Sequence, residues 1–186
     1  YAIVETSDGY IFTGRTESSD GSFTGAGFKG QSDLSIIKID KQGNQQWAKC
    51  FGGSGSENAG SILHTSDGSL LLCATTNSLG GDVTEAFGLN DLWILKLNAD
   101  GDLLWQRSYG GNGDESTYFH NLTETLPNSF IVNAKSNSIG GGNFTAQNHG
   151  DADCWIFTFD GTDGAIGWQK AYGGSLGEGA GTIFKV

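Results

Sequence analysis

A segment that occurs three times constrains the fold of this chain more than any other feature. Its copies are DLSIIKIDKQGNQQWAKCFGG (33–53), DLWILKLNADGDLLWQRSYGG (91–111) and DCWIFTFDGTDGAIGWQKAYGG (153–174), the last with one extra residue in its turn. Each copy is typical of two β-strands joined by a turn containing Asp or Asn and Gly, followed by a double glycine. An internal repeat of this kind predicts an architecture of similar, stacked units.

The second copy indicates how much chain belongs to one unit. Strands are predicted at 60–65, 69–76, 91–98 and 103–109, with an Asp-Gly turn after the first strand and a long loop at 77–90. The first copy follows the same order, and the third replaces the Asp-Gly turn with LPNS. We therefore predict one domain, 1–186, with repeats at about 1–59, 60–117 and 118–180 and the first strand of a fourth at 181–186.

The third strand of a unit is apolar on both of its faces. Trp93 and Leu95 alternate with Ile94, and Trp155 alternates with Ile156. A strand of this kind needs cover on both sides. Four-stranded antiparallel sheets stacked around an axis supply that cover, so we predict an all-β fold made of β-propeller blades. A β-sandwich or a β-solenoid is the alternative.

The number of units predicts that the chain is a segment of a larger propeller. Three full repeats are fewer than the roughly four to eight blades of closed propellers. The chain also opens directly inside a repeat, on YAIVET. We expect the remaining blades in the same or a longer chain, and assembly of several chains is the alternative.

Composition limits the partners. The net charge of −11 argues against nucleic acid, because phosphate binding needs clustered Lys and Arg, and against docking on anionic lipid. No apolar run is long enough for a transmembrane helix, so direct membrane insertion is not expected. The chain has 31 glycines and one proline among many apolar residues, which favours tight turns between strands. Its three cysteines, at non-equivalent positions, are expected to be isolated buried thiols.

The repeated pattern resembles a known family. D-x-W-I-x-K-L-[DN]-x-x-G-x-x-x-W-x-[KR]-x-[YF]-G-G, followed by G-x-x-E-x-A and S-I-x-x-T-S-D-G, is similar to propeller-like repeat proteins secreted by, or displayed on, Bacteroidetes-type bacteria. Such proteins often precede a type IX secretion sorting domain, so the resemblance implies an extracellular or outer-surface location. The third copy departs from the pattern: Thr158 stands where Lys38 and Lys96 do, and its TSDG turn is missing.

The tryptophans are predicted to be structural. The core [DN]-x-x-G-x-x-x-W also resembles the tryptophan-docking repeat of quinoprotein-type propellers, which implies that Trp47, Trp105 and Trp168 pack between blades. Trp93 and Trp155 lie on the apolar third strands and are expected in the core.

The edge that carries the long loops is the predicted binding surface, because loops held by a rigid scaffold usually carry function. The loops share GSFT, GDVT and GNFT, whose Phe23, Val83 and Phe144 are expected to pin each loop to its sheet. No cofactor is predicted from this pattern. The functional alternative is a carbohydrate or Ca²⁺ site, because Ca²⁺ binds six to eight oxygens. Its candidate residues are Asp20, Asp82 and Asn143.

An acidic residue recurs in the links between repeats. Glu57, Glu115 and Glu178 each follow the first glycine of a GG pair by five residues. Acceptance of backbone N–H bonds within the link explains them. The alternative is an acidic ring that binds a cation or a basic partner.

No catalytic motif is recognisable, and no pair of histidines has metal-ligand spacing. The sequence therefore predicts a non-catalytic extracellular module that serves as a surface scaffold or binds a protein or a glycan. The alternative is a polysaccharide-active enzyme domain with its site on the long-loop face. An enzyme needs residues that break the repeat, and the irregular third copy offers His120, Glu124 and His149.

Overall fold

The computed structural model describes residues 2–117, 121–179 and 181–182, and these residues form an all-β protein. A 3₁₀ turn at Gly21–Phe23 is the one helical element within those ranges. The strands are β1 (Ile3–Glu5), β2 (Gly9–Thr16), β3 (Asp33–Asp40), β4 (Gln45–Phe51), β5 (Glu57–His64), β6 (Leu70–Thr76), β7 (Asp91–Leu97), β8 (Leu103–Tyr109), β9 (Glu115–Ser116), β10 (Leu122–Leu126), β11 (Ser129–Ser136), β12 (Asp153–Asp160) and β13 (Ile166–Tyr172).

Consecutive strands pair antiparallel into three sheets. Sheet 1 has the order β1-β2-β3-β4 and sheet 2 the order β5-β6-β7-β8. Sheet 3 has the order β10-β11-β12-β13, and the short β9 also pairs with β11. Each sheet contains one copy of the repeated segment as its last two strands, so the repeat is the structural unit.

The first strands differ from the prediction. β5 begins at Glu57, which lies opposite Thr76, and an irregularity between Ala59 and Ser61 interrupts its pairing with β6. The strand therefore begins before the predicted apolar strand at 60–65, because its first residues also pair with β6, on the other side of that irregularity. In the third unit, the first strand is divided into β9 and β10, and residues 118–120 between them lie outside the described residues. Most of the predicted fourth-copy strand, 183–186, also lies outside them.

Successive sheets pack face to face. We call the side of each sheet that is turned toward the next sheet in the chain its forward face, and the opposite side its back face. The forward face of sheet 1 meets the back face of sheet 2 in a buried cluster that includes Ile11, Ile36, Leu72 and Trp93. The forward face of sheet 2 meets the back face of sheet 3 in a second cluster. Sheet 2 is therefore covered on both sides, and every residue of β7 is buried.

Antiparallel pairing separates the connections into two edges. The turn edge carries the short connections at 6–8, 41–44, 65–69, 98–102, 127–128 and 161–165. The loop edge carries the long loops 17–32, 77–90 and 137–152 and the links between sheets. Candidate binding residues lie mainly at the loop edge.

Candidate functional site

The links at the loop edge hold their repeated glutamates inside the protein. Glu115 is fully buried and accepts hydrogen bonds from the Gly111 amide at 3.0 Å and from the hydroxyls of Ser136 and Ser138, each at 2.6 Å. Glu57 is also fully buried, with the Gly53 amide at 3.2 Å and the Thr76 hydroxyl at 2.7 Å. Both carboxylates thus bind the protein's own donors.

Glu178 occupies the same position at the end of the third unit. Among the described residues it accepts only the Gly174 amide, at 2.9 Å, and it is half-buried. The hydroxyls that bind Glu57 and Glu115 come from the second strand of the following sheet, Thr76 and Ser136, and from Ser138 just after it.

A buried aspartate faces each link glutamate. Asp91 accepts the Phe87 amide at 2.7 Å through Oδ2, while its buried Oδ1 has no donor among the described residues. A β-carbon added to Gly110 would overlap both Asp91 Oδ1 and Glu115 Oε2, so the two oxygens flank one point and only glycine fits beside them. Burial raises the pKa of Asp91 to about 6, and the nearby charge of Glu115 adds to the shift.

The same arrangement recurs in the other two units. A β-carbon on Gly52 would meet Asp33 and Glu57, and one on Gly173 would meet Asp153 and Glu178. The sequence prediction named the glutamates and missed these aspartates. The available signal was the aspartate that opens all three copies of the repeated segment.

The predicted long-loop residues contact the neighbouring link. Asp82 accepts the Gly52 amide at 3.0 Å and pairs with Lys29 Nζ at 2.8 Å. Asn143 occupies the equivalent position and accepts the Gly110 amide at 3.0 Å. Asp20 precedes its loop signature, two positions before the residue equivalent to Asp82, is exposed and makes no side-chain cap to the 3₁₀ turn. The structure therefore places Asp82 and Asn143 at matching sites and separates Asp20 from them.

The loop residues expected to pin each loop are buried to different extents. Val83 is completely buried and Phe144 nearly so, whereas Phe23 is half-buried. Within the described ranges, no group of three His, Cys, Asp or Glu side chains could hold a metal ion.

The exposed aliphatic side chains at the loop edge of the described residues are Leu79, Leu89, Ile139 and Leu176, and two of them occupy equivalent positions in the repeat. Leu79 is 61% exposed and Ile139 is 80% exposed, at equivalent positions of the second and third units. Each sits on fixed backbone: the Ser54 hydroxyl donates to the Leu79 carbonyl at 3.3 Å, and the Ile139 amide donates to Asn112 Oδ1 at 3.1 Å. Sequence analysis overlooked this pair, although NSLGG and NSIGG repeat visibly.

Two of the three residues proposed for an enzyme site lie far apart. His149 lies in the loop edge, with its Nδ1 2.7 Å from the buried Asp153 Oδ2. Glu124 lies on β10 opposite Phe130 and accepts the Ser66 and Asn128 amides near the turn edge. His120 lies outside the described residues. Glu124 and His149 are therefore at opposite edges of sheet 3.

The tryptophans occupy two kinds of position. Trp93 and Trp155 are completely buried between sheets. Trp47 and Trp105 lie half-buried against the turn edge of the following sheet, where Trp105 Nε1 donates to the Gly161 carbonyl at 3.0 Å. Trp168, at the same position in sheet 3, is 47% exposed.

Comparisons with known proteins give only a distant structural likeness. No family model and no curated protein matches the chain. Among solved structures, it is similar to a protein of unknown function from Bacteroides caccae, with 10% sequence identity and a TM-score of 0.38. The match covers 74% of this chain and 56% of that one. No helix in the described residues is long and apolar enough to cross a membrane.

Proposed function

We propose that the chain is a non-catalytic segment of a larger β-propeller that acts as a scaffold at the outer cell surface and presents its loop edge to a protein partner. The observation that carries the proposal is the matched exposure of Leu79 and Ile139. A single exposed aliphatic side chain is normal, whereas a recurring apolar surface marks an interaction site, so the support lies in the repetition of this pair at equivalent positions of one edge. The extracellular location and the propeller rest on the resemblance to Bacteroidetes-type surface repeat proteins.

The buried polar groups favour a scaffold over an enzyme. The repeated carboxylates Glu57 and Glu115 are saturated by internal donors and have no open side toward a substrate. Catalytic acids and bases must reach the reacting atoms. Of the three residues that the irregular third unit offered for an enzyme, Glu124 and His149 lie at opposite edges of sheet 3, which supports the non-catalytic interpretation.

The chemistry of the exposed pair favours a protein rather than a glycan. Leu79 and Ile139 offer aliphatic surface, which protein partners bury well. Fixed backbone beneath them lowers the entropic cost of binding, because little is ordered when the partner arrives.

The test is a selection from a random peptide library on the immobilised chain. We expect selected peptides to bind the double variant Leu79→Ser, Ile139→Ser at least about tenfold more weakly, a loss of about 1.4 kcal/mol. Leu104→Ser, on the exposed part of β8, is the matched control and should bind like the parent. Equal binding to all three proteins would contradict the proposed edge.

A panel of cello-, xylo-, malto- and manno-hexaoses tests the remaining alternatives. Release of shorter sugars would overturn the non-catalytic proposal. Chemical-shift changes confined to the loop edge, without hydrolysis, would replace the protein partner with a glycan. No change with any sugar is the result we expect.

A further inference from the structure

A cavity of about 340 Å³ lies between sheets 1 and 2 at the turn edge. Ser7, Lys38 and His64 form part of its polar wall, and Ile11 and Leu70 form part of its apolar wall. We propose that this cavity binds a free carboxylate carried on a short aliphatic chain. The site lies at the edge opposite the loop edge, so the inference goes beyond the proposed function and does not depend on it.

The corresponding place between sheets 2 and 3 holds a carboxylate of the protein itself. Glu124, on β10, accepts the Ser66 amide at 2.8 Å and the Ser66 hydroxyl at 2.7 Å. It also accepts the Asn128 amide at 3.1 Å. Burial raises the pKa of Glu124, but these hydrogen bonds outweigh burial and hold the pKa below its usual value. The turn edge of one sheet therefore stabilises an ionised carboxylate supplied by the next.

Sheet 1 presents the same donors to the cavity. Ser7 and Lys38 occupy the positions of Ser66 and Lys96 in the repeat. Neither the amide nor the hydroxyl of Ser7 has an acceptor among the described residues. Lys38 Nζ donates to Asp8 at 2.8 Å, which uses one of the three N–H donors of its ammonium, whereas Lys96 Nζ has three acceptors. Donors that are satisfied in the second interface thus remain available in the first.

Three differences in sheet 2 open the place that the internal carboxylate occupies in the other interface. In the pairing of the first two strands, His64 takes the position of Glu124. Its partner Leu70 takes the position of the larger Phe130. In the turn, Gly68 takes the position of an asparagine, and no described atom lies within 4 Å of the β-position of Gly68. Space for a ligand therefore replaces the glutamate.

The walls of the cavity indicate what carries the carboxylate. Ile11 and Leu70 are each 1% exposed, and Ala99 adds a methyl group beside them. Aliphatic surface of this kind favours burial of a hydrocarbon chain. His64 has no hydrogen-bond partner among the described residues, so its ring N–H can donate to a carboxylate oxygen. The mixed lining fits a short aliphatic acid better than an inorganic anion.

The carboxylate has to come from a separate molecule. In sheet 3, the backbone of β10 delivers Glu124 from within the sheet. In sheet 2, the same backbone position belongs to β5, which carries His64 and is paired with β6. Asp8 weakens the binding of an anion without preventing it, because the equivalent Asp67 lies near Glu124, whose pKa is still lowered.

The experiment is a titration of the isotopically labelled chain with butyrate, followed through its amide chemical shifts. We expect the Ser7 amide to shift saturably, with the other changes confined to the residues around the cavity. Butyramide has nearly the same shape without the charge and should bind at least about tenfold more weakly, because it makes no charge-assisted hydrogen bonds. A shift that does not saturate, or equal binding of butyramide, overturns the inference.

Two further probes test the class of ligand. Sulfate offers charge without a hydrocarbon chain, and N-acetylglutamate N-methylamide offers the same carboxylate on a peptide backbone. Both should bind more weakly than butyrate. Tighter binding of sulfate would replace the carboxylate with an inorganic anion, and tighter binding of the glutamate derivative would replace the free acid with a side chain of a partner protein. Either result overturns the proposal.

Variants of His64 test whether the two interfaces are related as proposed. His64→Glu supplies an internal carboxylate like that of Glu124, so the binding of butyrate should fall at least about tenfold. His64→Gln keeps a donor and should bind butyrate with near-parental affinity, and Lys38→Met should bind it about tenfold more weakly. Gln31→Glu adds a negative charge to an exposed position of the loop edge, and this matched control should bind like the parent. Parental affinity in both His64→Glu and Lys38→Met would place the ligand elsewhere.

Discussion

The interface between sheets 1 and 2 is mainly aliphatic, whereas the interface between sheets 2 and 3 is rich in aromatic side chains. Where sheet 2 places Leu70, Leu95 and Leu97 on its back face, sheet 3 places Phe130, Phe157 and Phe159. The rings of Phe130 and Phe159 stack with centroids 5.4 Å apart. One backbone arrangement thus accepts two sets of side chains, which indicates that the sheets adjust to core volume within limits.

The two interfaces also differ in how they hold the lysine of the third strand, which is buried as Lys96 and half-buried as Lys38. Lys96 donates to Asp67 at 2.8 Å, Asn128 at 3.2 Å and the Gly161 carbonyl at 3.1 Å. Lys38 binds Asp8 at 2.8 Å beside a cavity of about 340 Å³. Asn128 takes the place of a turn glycine and keeps positive φ, so the irregular third turn adds an acceptor without losing its geometry.

Alanine substitution of the repeated tryptophans should give the largest difference in the free energy of unfolding between the two interfaces. Trp105→Ala should lower the free energy of unfolding by about 3 kcal/mol, and Trp47→Ala by about 2. The difference reflects the hydrogen bond of Trp105 to Gly161, for which Trp47 has no counterpart among the described residues. Trp168→Ala should change the free energy of unfolding by less than about 0.5 kcal/mol. Urea unfolding measures the free energy of unfolding of all three variants. Equal losses in the three would contradict the expected difference between the tryptophans.

Replacing the lysines by methionine should give the next largest effect. Lys96→Met should cost about 2 kcal/mol because the buried ammonium loses three hydrogen bonds, one of them to the buried Gly161 carbonyl. Lys38→Met, at a more exposed lysine, should cost less than about 1 kcal/mol. The Lys96 hydrogen bond holds the pKa of Asp67 well below its usual value of 3.8. A lowered pKa gives stability above the unfolded pKa that is lost on acidification. The difference in the free energy of unfolding between the parent and Lys96→Met should therefore shrink below about pH 4. A difference that stays constant with pH would show that the ion pair does not contribute to stability.

The buried aspartates should respond to amide substitution with opposite signs. Asp91 has an unpartnered oxygen facing Glu115 and a pKa raised to about 6, so folding favours its protonated form. That stability is present below the unfolded pKa and is lost as the pH rises through about 6. Asp91→Asn supplies a permanent donor and should stabilise the protein by about 1–2 kcal/mol at pH 7, with little effect near pH 4.

Asp33 is the control because both of its oxygens accept backbone amides, from Lys29 at 2.8 Å and Gly30 at 3.1 Å. Asp33→Asn turns one acceptor into a donor and should destabilise by about 1 kcal/mol. Thermal unfolding of the two variants across pH 4–8 measures both changes in stability. Changes of the same sign would refute the expected difference between Asp91 and Asp33.

The smallest expected effect concerns one hydroxyl. Tyr109 donates to the Gly164 carbonyl at 2.7 Å, and Phe51 holds the same place in sheet 1 without a hydroxyl. Tyr109→Phe should lower the free energy of unfolding by about 1 kcal/mol. The substituted interface then has a phenylalanine at this position, as the interface between sheets 1 and 2 does. Tyr172→Phe, on an exposed ring, should leave stability unchanged. A large loss in Tyr172→Phe would show that this end of the stack is covered in solution.

Much of the unit could be read from the sequence because strand and turn signals are local. The Asp-Gly turns, the returning strands and the double glycines fall where the pattern predicts them. The irregularity in β5 and the division between β9 and β10 were not predicted, because both depend on pairing with a strand far along the chain. The exposed pair Leu79 and Ile139 was missed because an apolar residue in a loop looks like an anchor until its burial is known.

The sequence by itself determined the three-fold unit, its all-β character and its acidic surface, since repetition, alternation and charge are properties of the chain. Only the tertiary structure decided what each repeated residue does. Glu115 and Asp91 lie 24 positions apart in the numbering yet flank one glycine. Trp47, Trp105 and Trp168 occupy the same position of the repeat, but the first two are half-buried and the third is exposed. Burial depends on the sheet that comes next, and that neighbour is set by packing rather than by local pattern.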